Sequence, residues 1–390
     1  MQHFSRLLLI SLLFSWFQST AQHFVLYGER NLNDTILSVY FDRNGKPYPD
    51  YFIADSVLNF NTGSLDSFYN SYPNDFSAIC SVYKCRVNKY SRSDTSILKD
   101  SIFQTIADKI NNQTKEVLVP TFMIHGFRKS YVNKPGVFTS VIDYNLLIAA
   151  INRLSTEKYS YIRVFWDGSY LDISEGVKQM KQIFTVFEKA QLNAVSVGYG
   201  LRQVLSRTTS PEVNIISHSL GAKVVTNALF DTTINNYPTP NNRNINICLI
   251  APAIDGIEAF KNYYSRNSTL AYKKSDNYSL FVLYNKKDFV LRKKDYFFEL
   301  FGPGPRKHGN TTLGCNSNNE AIKLKDYFIQ HFHGSKIRFD DRKICIQQIL
   351  LLIEKCHHLR CYCEGDNLKT AIQLMNHTIT NSNGNKILNK

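Results

Sequence analysis

Val213-Asn-Ile-Ile-Ser-His-Ser-Leu-Gly-Ala-Lys-Val-Val225 is the stretch from which the fold is read. Val213 to Ile216 form a β-prone run, and Ser217-His218-Ser219-Leu220-Gly221 has the composition of a tight turn. Beyond it Ala222, Val225, Ala228 and Leu229 share one face at helical spacing. A strand that passes through so sharp a turn into a helix lifts the central hydroxyl clear of its neighbours. It does so only if the residues two positions to either side are small. Ser217 and Gly221 fill those positions, so Ser219 stands where a nucleophile elbow carries its nucleophile. Five common residues are a weak pattern by themselves, and the surrounding strands and polar motifs decide its meaning.

Outward from the elbow, buried-strand candidates alternate with helical stretches. Upstream, Val117 to Ile124 is a nearly continuous apolar run ending at His125-Gly126-Phe127, and Tyr161 to Trp166 is a second. Lys178 to Leu205 reads as helical, with Ile183, Val186 and Phe187 among its apolar positions. Downstream, Ile245 to Ile250 ends at Asp255, and Tyr278 to Tyr284 ends at Asn285-Lys-Lys-Asp288. A last strand is expected within Ala321 to Phe332, followed by His333-Gly334, with a closing amphipathic helix over Ile344 to Ile353. This alternation predicts an α/β fold, a doubly wound, mostly parallel sheet flanked by helices. In such sheets the functional residues gather at the carboxyl ends of the strands, where each of these polar motifs falls.

The expected organisation is a leader over 1–21, a β-leaning N-terminal extension over 22–115, the main domain over 116–356 and a polar tail over 357–390. The extension carries a strand at Thr35 to Phe41 and helical periodicity from Asp100 to Ile110, either as a small cap or as extra elements on the sheet edge. Arg6, the apolar run Leu7 to Phe17 and the small residues Ser19-Thr20-Ala21 have the layout of a cleavable signal peptide, with an uncleaved anchor as the alternative. Secretion or a periplasmic location is therefore expected. Export makes the eight cysteines candidates for disulfides, with Cys80 and Cys85 near enough to pair locally. Cys356-His357-His358 with Cys361 and Cys363 has no common zinc spacing, so thiols or disulfides are expected there and no metal. The net charge of +14 is scattered along the chain, which argues against nucleic acid and leaves weak attraction to acidic membrane surfaces.

With these motifs in order, the chain resembles the α/β-hydrolases, among the secreted serine hydrolases with lipase- and esterase-like motifs, over roughly residues 115 to 355. The resemblance implies Ser219 as nucleophile and the backbone N–H groups of Phe127 and Leu220 as an oxyanion hole. It implies Asp288 as the acid, with Asp255 as the alternative, since a minority of lipases carry the acid one strand earlier. His333 is the expected base, with His331 as the alternative and His308 more remote. Ser217 departs from the glycine commonest at its position. The expected chemistry is hydrolysis of a carboxylic ester, of a lipid or other acyl ester, through an acyl-enzyme without cofactor. An acyltransferase or peptidase on the same triad, or a non-catalytic surface binding protein of this fold, are the competing readings. The sequence leaves the oligomeric state open.

Overall fold

The computed structural model describes residues 25–26, 36–49, 52–53, 65–71, 73–85, 92–115, 118–127, 140–168, 178–231, 243–256, 259–260, 277–288, 290–291, 313–315, 319–331, 336–341 and 357–382. The leader, Lys286's downstream loop from 292 and the expected helix over 344–353 lie outside these residues. Seven strands make one sheet: β1 (Leu37–Tyr40), β2 (Val119–Ile124), β3 (Tyr159–Phe165), β4 (Glu212–His218), β5 (Asn244–Ile250), β6 (Asn277–Tyr284) and β7 (Lys336–Asp341). Their spatial order is β1-β3-β2-β4-β5-β6-β7, and every neighbouring pair is parallel. Val25–Leu26 and Phe52–Ile53 form a separate antiparallel pair.

Nine helices are described: α1 (Leu65–Ser71), α2 (Pro73–Val82), α3 (Arg92–Thr114), α4 (Ser140–Leu154), α5 (Lys178–Arg207), α6 (Gly221–Phe230), α7 (Glu320–His331), α8 (Leu359–Cys363) and α9 (Lys369–Ser382). β2 and β4 are buried at every residue, as strands covered on both faces must be. The chain leaves β2 for β3 on one side and returns to β4 on the other. The strand order therefore reverses between β2 and β4, and a crevice opens above their carboxyl ends. Ile124 pairs with Ser217 in register, which sets His125-Gly126 beside His218-Ser219.

The N-terminal extension belongs to the same core. β1 adds to the sheet edge against β3, and Ile102, Ile106 and Ile110 of α3 are buried. Asp42 ties the turn after β1 to α1: Oδ1 accepts the N–H groups of Asn44 (2.9 Å) and Lys46 (2.8 Å), and Oδ2 accepts that of Leu65 (2.8 Å). Cys80 and Cys85 are free thiols rather than a local disulfide. The Cys85 thiol instead donates to Ser101 Oγ at 3.3 Å.

Two expectations are corrected at the C-terminal end. Ala321 to His331 is not a strand: Ala321, Leu324 and Phe328 are buried while Ile322, Lys323, Lys325 and Asp326 face water, a helical spacing, and the segment forms α7. Among the described residues the last strand is β7, which follows it. Nor is 357–382 a loose polar tail. Leu359, Tyr362, Ala371, Ile372 and Met375 are buried in the core, enough apolar surface to dock two helices. Arg153 Nη2 donates to the carbonyls of Cys363 (2.9 Å) and Gly365 (2.7 Å), the Tyr159 hydroxyl donates to Asn376 Oδ1, and Cys361 is disulfide-bonded.

On the central strands several buried polar side chains meet one another. Asn214 Nδ2 donates to Thr121 Oγ1 (3.3 Å) and Asn246 Nδ2 to Asn214 Oδ1 (2.9 Å), along a row of register partners on β2, β4 and β5, and Asn246 Nδ2 also donates to Glu212 Oε1 (2.7 Å), two residues from that row on β4. The buried Arg202 of α5 caps α6. Its Nε donates to the Ala228 carbonyl and its Nη2 to the Asn227 carbonyl, both at 2.6 Å, and Nη2 also reaches the Asp231 carbonyl. Replacing Arg202 with Met should leave those carbonyls unmet and lower the unfolding free energy by about 2–4 kcal/mol, read as a urea midpoint. Burial pushes the Glu212 carboxyl up to about 7, with the Asn246 amide opposing it. A carboxyl raised on folding stabilises below its unfolded value and loses that contribution as pH rises through about 7. Glu212→Gln should therefore be more stable than wild type at pH 8, by about 1–3 kcal/mol, with the advantage gone below about pH 4.5.

Candidate active site

Ser219 sits at the turn between β4 and α6 with φ of 52°, a conformation that side chains other than glycine rarely adopt. Neighbouring strands hold it there. Its N–H donates to the Ile250 carbonyl (2.9 Å), and its own carbonyl accepts the N–H groups of Ala253 (3.0 Å) and Ala222 (3.1 Å). The turn works only because two glycines let backbone come close. A Cβ on Gly221 would stand 2.6 Å from the His125 carbonyl oxygen, and one on Gly126 would stand 2.8 Å from Ser219 Cβ. Ser217, in the other small position, is buried within β4.

The hydroxyl of Ser219 faces an imidazole, that of His357. Nε2 lies 3.0 Å from Ser219 Oγ, and Nδ1 lies 2.7 Å from Asp288 Oδ2. Asp288 is fully buried just past β6, where its other oxygen accepts the N–H groups of Val290 (2.9 Å) and Leu291 (3.1 Å). With Asp288 accepting on both oxygens, the imidazole proton is on Nδ1, and Nε2 is left to accept from Ser219 Oγ–H. A hydroxyl, an imidazole and a carboxylate are thus linked in one line at the switch point of the sheet. His357 is 9% exposed and Ser219 7%, so proton exchange along the line is largely shielded from water.

Across from Ser219, the loop after β2 is held by His125. Trp166 donates its backbone N–H to His125 Nε2 (3.2 Å) and its indole N–H to the His125 carbonyl (3.0 Å), with the two rings stacked 5.5 Å apart. An accepting Nε2 leaves the proton on Nδ1, which donates to the Gly126 carbonyl at 2.8 Å. The His125 N–H donates to the Tyr144 hydroxyl (3.1 Å), which in turn donates to the Val164 carbonyl. This fixes the approach of Gly126 and Phe127 to Ser219. No acceptor among the described residues takes the N–H of Phe127 or of Leu220. The Phe127 ring meets Phe187 of α5 edge-on at 5.1 Å and forms an apolar wall.

Of the residues expected from sequence, Ser219 and Asp288 are brought together, and Phe127 and Leu220 flank them. At the place expected of His333 or His331 the structure has another imidazole. The imidazole between Ser219 and Asp288 is His357, while His331 ends α7 and His333 and His308 lie outside the described residues. The expected position was displaced by reading α7 as the last strand, which drew the histidine loop forward to 333. The usable signal was the acid-before-base order, which His357 also obeys. Asp255 has no ring nitrogen of His357 left to bind. Its charge acts on Lys223 of α6, whose ammonium is pushed down by burial and partly restored by Asp255, and which donates to Gln191 Oε1 at 3.1 Å. No group of three or more His, Cys, Asp and Glu among the described residues is arranged to hold a metal.

Residues 174–293, from the start of α5 past β6, match the family of α/β hydrolases of unknown function, DUF900. Among solved structures, a proposed cell surface hydrolase from Lactobacillus plantarum WCFS1 is similar over 68% of this chain and 92% of its own, at 10% identity and a TM-score of 0.30. No curated protein matches the sequence.

The close packing at the turn is testable apart from any chemistry. Gly221→Ala should force the start of α6 away from the β2 loop and cost about 1–3 kcal/mol of unfolding free energy, measured by thermal or urea unfolding.

Proposed function

We propose that the chain is an α/β-hydrolase, supported by the match of residues 174–293 to such a family, and that it acts as a serine hydrolase in which Ser219, His357 and Asp288 form the catalytic triad. The observation that carries this is the unbroken line from Asp288 Oδ2 through the His357 ring to Ser219 Oγ, with spacings of 2.7 and 3.0 Å. A serine hydroxyl hardly ionises at neutral pH and needs a base in contact with it to become a nucleophile. His357 Nε2 takes the Ser219 proton as Oγ forms its bond to the carbonyl carbon of a carboxylic ester. Asp288 keeps the imidazole in the required tautomer and stabilises the imidazolium. The N–H groups of Phe127 and Leu220 receive the negative oxygen of the tetrahedral intermediate. As the intermediate collapses, the carbon–oxygen bond to the leaving alcohol breaks and His357 returns the proton to that oxygen. Water then repeats the sequence on the acyl-enzyme, with His357 as base, and releases the acid. Every proton moves through groups that the chain itself supplies.

The Phe127–Phe187 ring pair, next in sequence to the Gly126 that approaches Ser219, supports an acyl ester over a charged substrate. We propose export as the destination, supported by the Arg6 and Leu7 to Phe17 pattern and by the Cys361 disulfide, since such bonds persist in oxidising compartments. Mass spectrometry of protein recovered from the native host's cell envelope or medium tests it, and a chain retaining its first residues would count against cleavage.

The full-length protein should be labelled by a fluorophosphonate probe and should hydrolyse p-nitrophenyl esters. Ser219→Ala and His357→Ala should each lower kcat by about 10⁴-fold or more, and Asp288→Asn by a comparable factor. His333→Ala should leave the rate near wild type. Absence of labelling in folded wild type would sink the serine-hydrolase reading, and a loss confined to His333→Ala would move the base back to that residue.

A further inference from the structure

His218 fills the position before the nucleophile and takes no part in the proton relay. Its ring is buried, at 6% exposure, and stands 5.2 Å from the ring of His357 with the planes tilted by 43°. His218 Nε2 lies 2.8 Å from the main-chain carbonyl oxygen of His357. A carbonyl can only accept, so Nε2 carries a proton and donates it. We propose that His218 is a positioning residue that fixes the backbone of the base through this bond. The proposal rests on the triad reading above.

Two consecutive residues of the elbow then grip one residue from the far end of the fold. Ser219 meets the His357 side chain through Nε2, and His218 meets the His357 main chain. A hydrogen bond to the ring alone leaves the base free to slide as its backbone shifts. A second bond at the carbonyl fixes the point from which the side chain extends. The need arises because His357 lies outside the sheet, on the segment leading into α8. Further ties of that segment act beyond it, at Cys361, Cys363, Gly365 and Asn376. The ring of His218 is itself confined by the close backbone of Gly126, where an added Cβ would stand 3.4 Å from Nδ1. The same glycine that lets the β2 loop approach Ser219 therefore leaves room for the anchor.

Transferring a proton between Ser219 and His357 requires placement to a fraction of an ångström, and a displacement of about 1 Å costs on the order of 100-fold. The experiment compares wild type, His218→Phe, which keeps ring size without the donor, and His218→Gln, whose amide Nε2 can occupy the position of the imidazole Nε2. Inactivation by a fluorophosphonate probe is resolved into kinact and KI for each folded protein. In His218→Phe, kinact should fall by about 10- to 100-fold while KI changes by less than about twofold. His218→Gln should recover most of the rate. Wild-type kinact in His218→Phe would overturn the positioning role. So would a His218→Gln variant that folds yet reacts at the rate of His218→Phe. Should His218→Phe not fold, His218→Gln decides alone, with near-wild-type kinact expected and a loss of tenfold or more overturning the proposal. Failure of wild type itself to label through Ser219 would instead overturn the underlying hydrolase reading.

Discussion

The left-handed turn at Ser219 is the constraint from which the remainder of the site follows. A non-glycine residue at φ of 52° carries a conformational cost of about 1–3 kcal/mol, and it persists because its neighbours over-determine it. Ile250 takes the Ser219 N–H, Ala253 and Ala222 bind its carbonyl, and Arg202 holds the far end of α6 by its last carbonyls. The central strands thus do more than form a core. Their register fixes the loop after β2 and the one after β5 at the height where the turn needs support.

Charge and hydrogen bonding around the turn are arranged by fixed tautomers. His125, His218 and His357 all sit within the same buried region, and each has a partner that specifies which nitrogen carries the proton. Trp166 and the Gly126 carbonyl specify it for His125, the His357 carbonyl for His218 and Asp288 for His357. Only in His357 does an accepting nitrogen face a serine hydroxyl. Three imidazoles of identical chemistry are in this way given different tasks by their neighbours, two holding backbone and one placed to accept a proton.

Much of this was legible in the sequence where short-range patterns govern. The apolar runs around Phe122, Ile215, Ile247 and Val282 are strands because both faces of a parallel sheet are buried, and the small residues at 217 and 221 marked the turn. What could not be read was long-range. Ala321 to Phe328 is apolar enough to pass for a strand when its spacing is overlooked, and that shift drew the expected histidine loop forward to 333. His357 was hidden among cysteines and followed by a segment rich in polar residues. Its role depends on contacts with Ser219 and Asp288, 138 and 69 residues away, which no local pattern encodes. The docking of α8 and α9 likewise rests on a modest set of apolar residues, Leu359, Tyr362 and Met375 among them, spread through polar sequence.

The position of His357 along the chain also sets the order in which the site is built. During synthesis every strand of the sheet, the serine turn and the acid loop leave the ribosome before His357 does. A partly made chain can fold its sheet around Ser219 while lacking the imidazole that meets the hydroxyl. The contact between Ser219 and His357 thus forms only when α8 and α9 settle against α4 and β5.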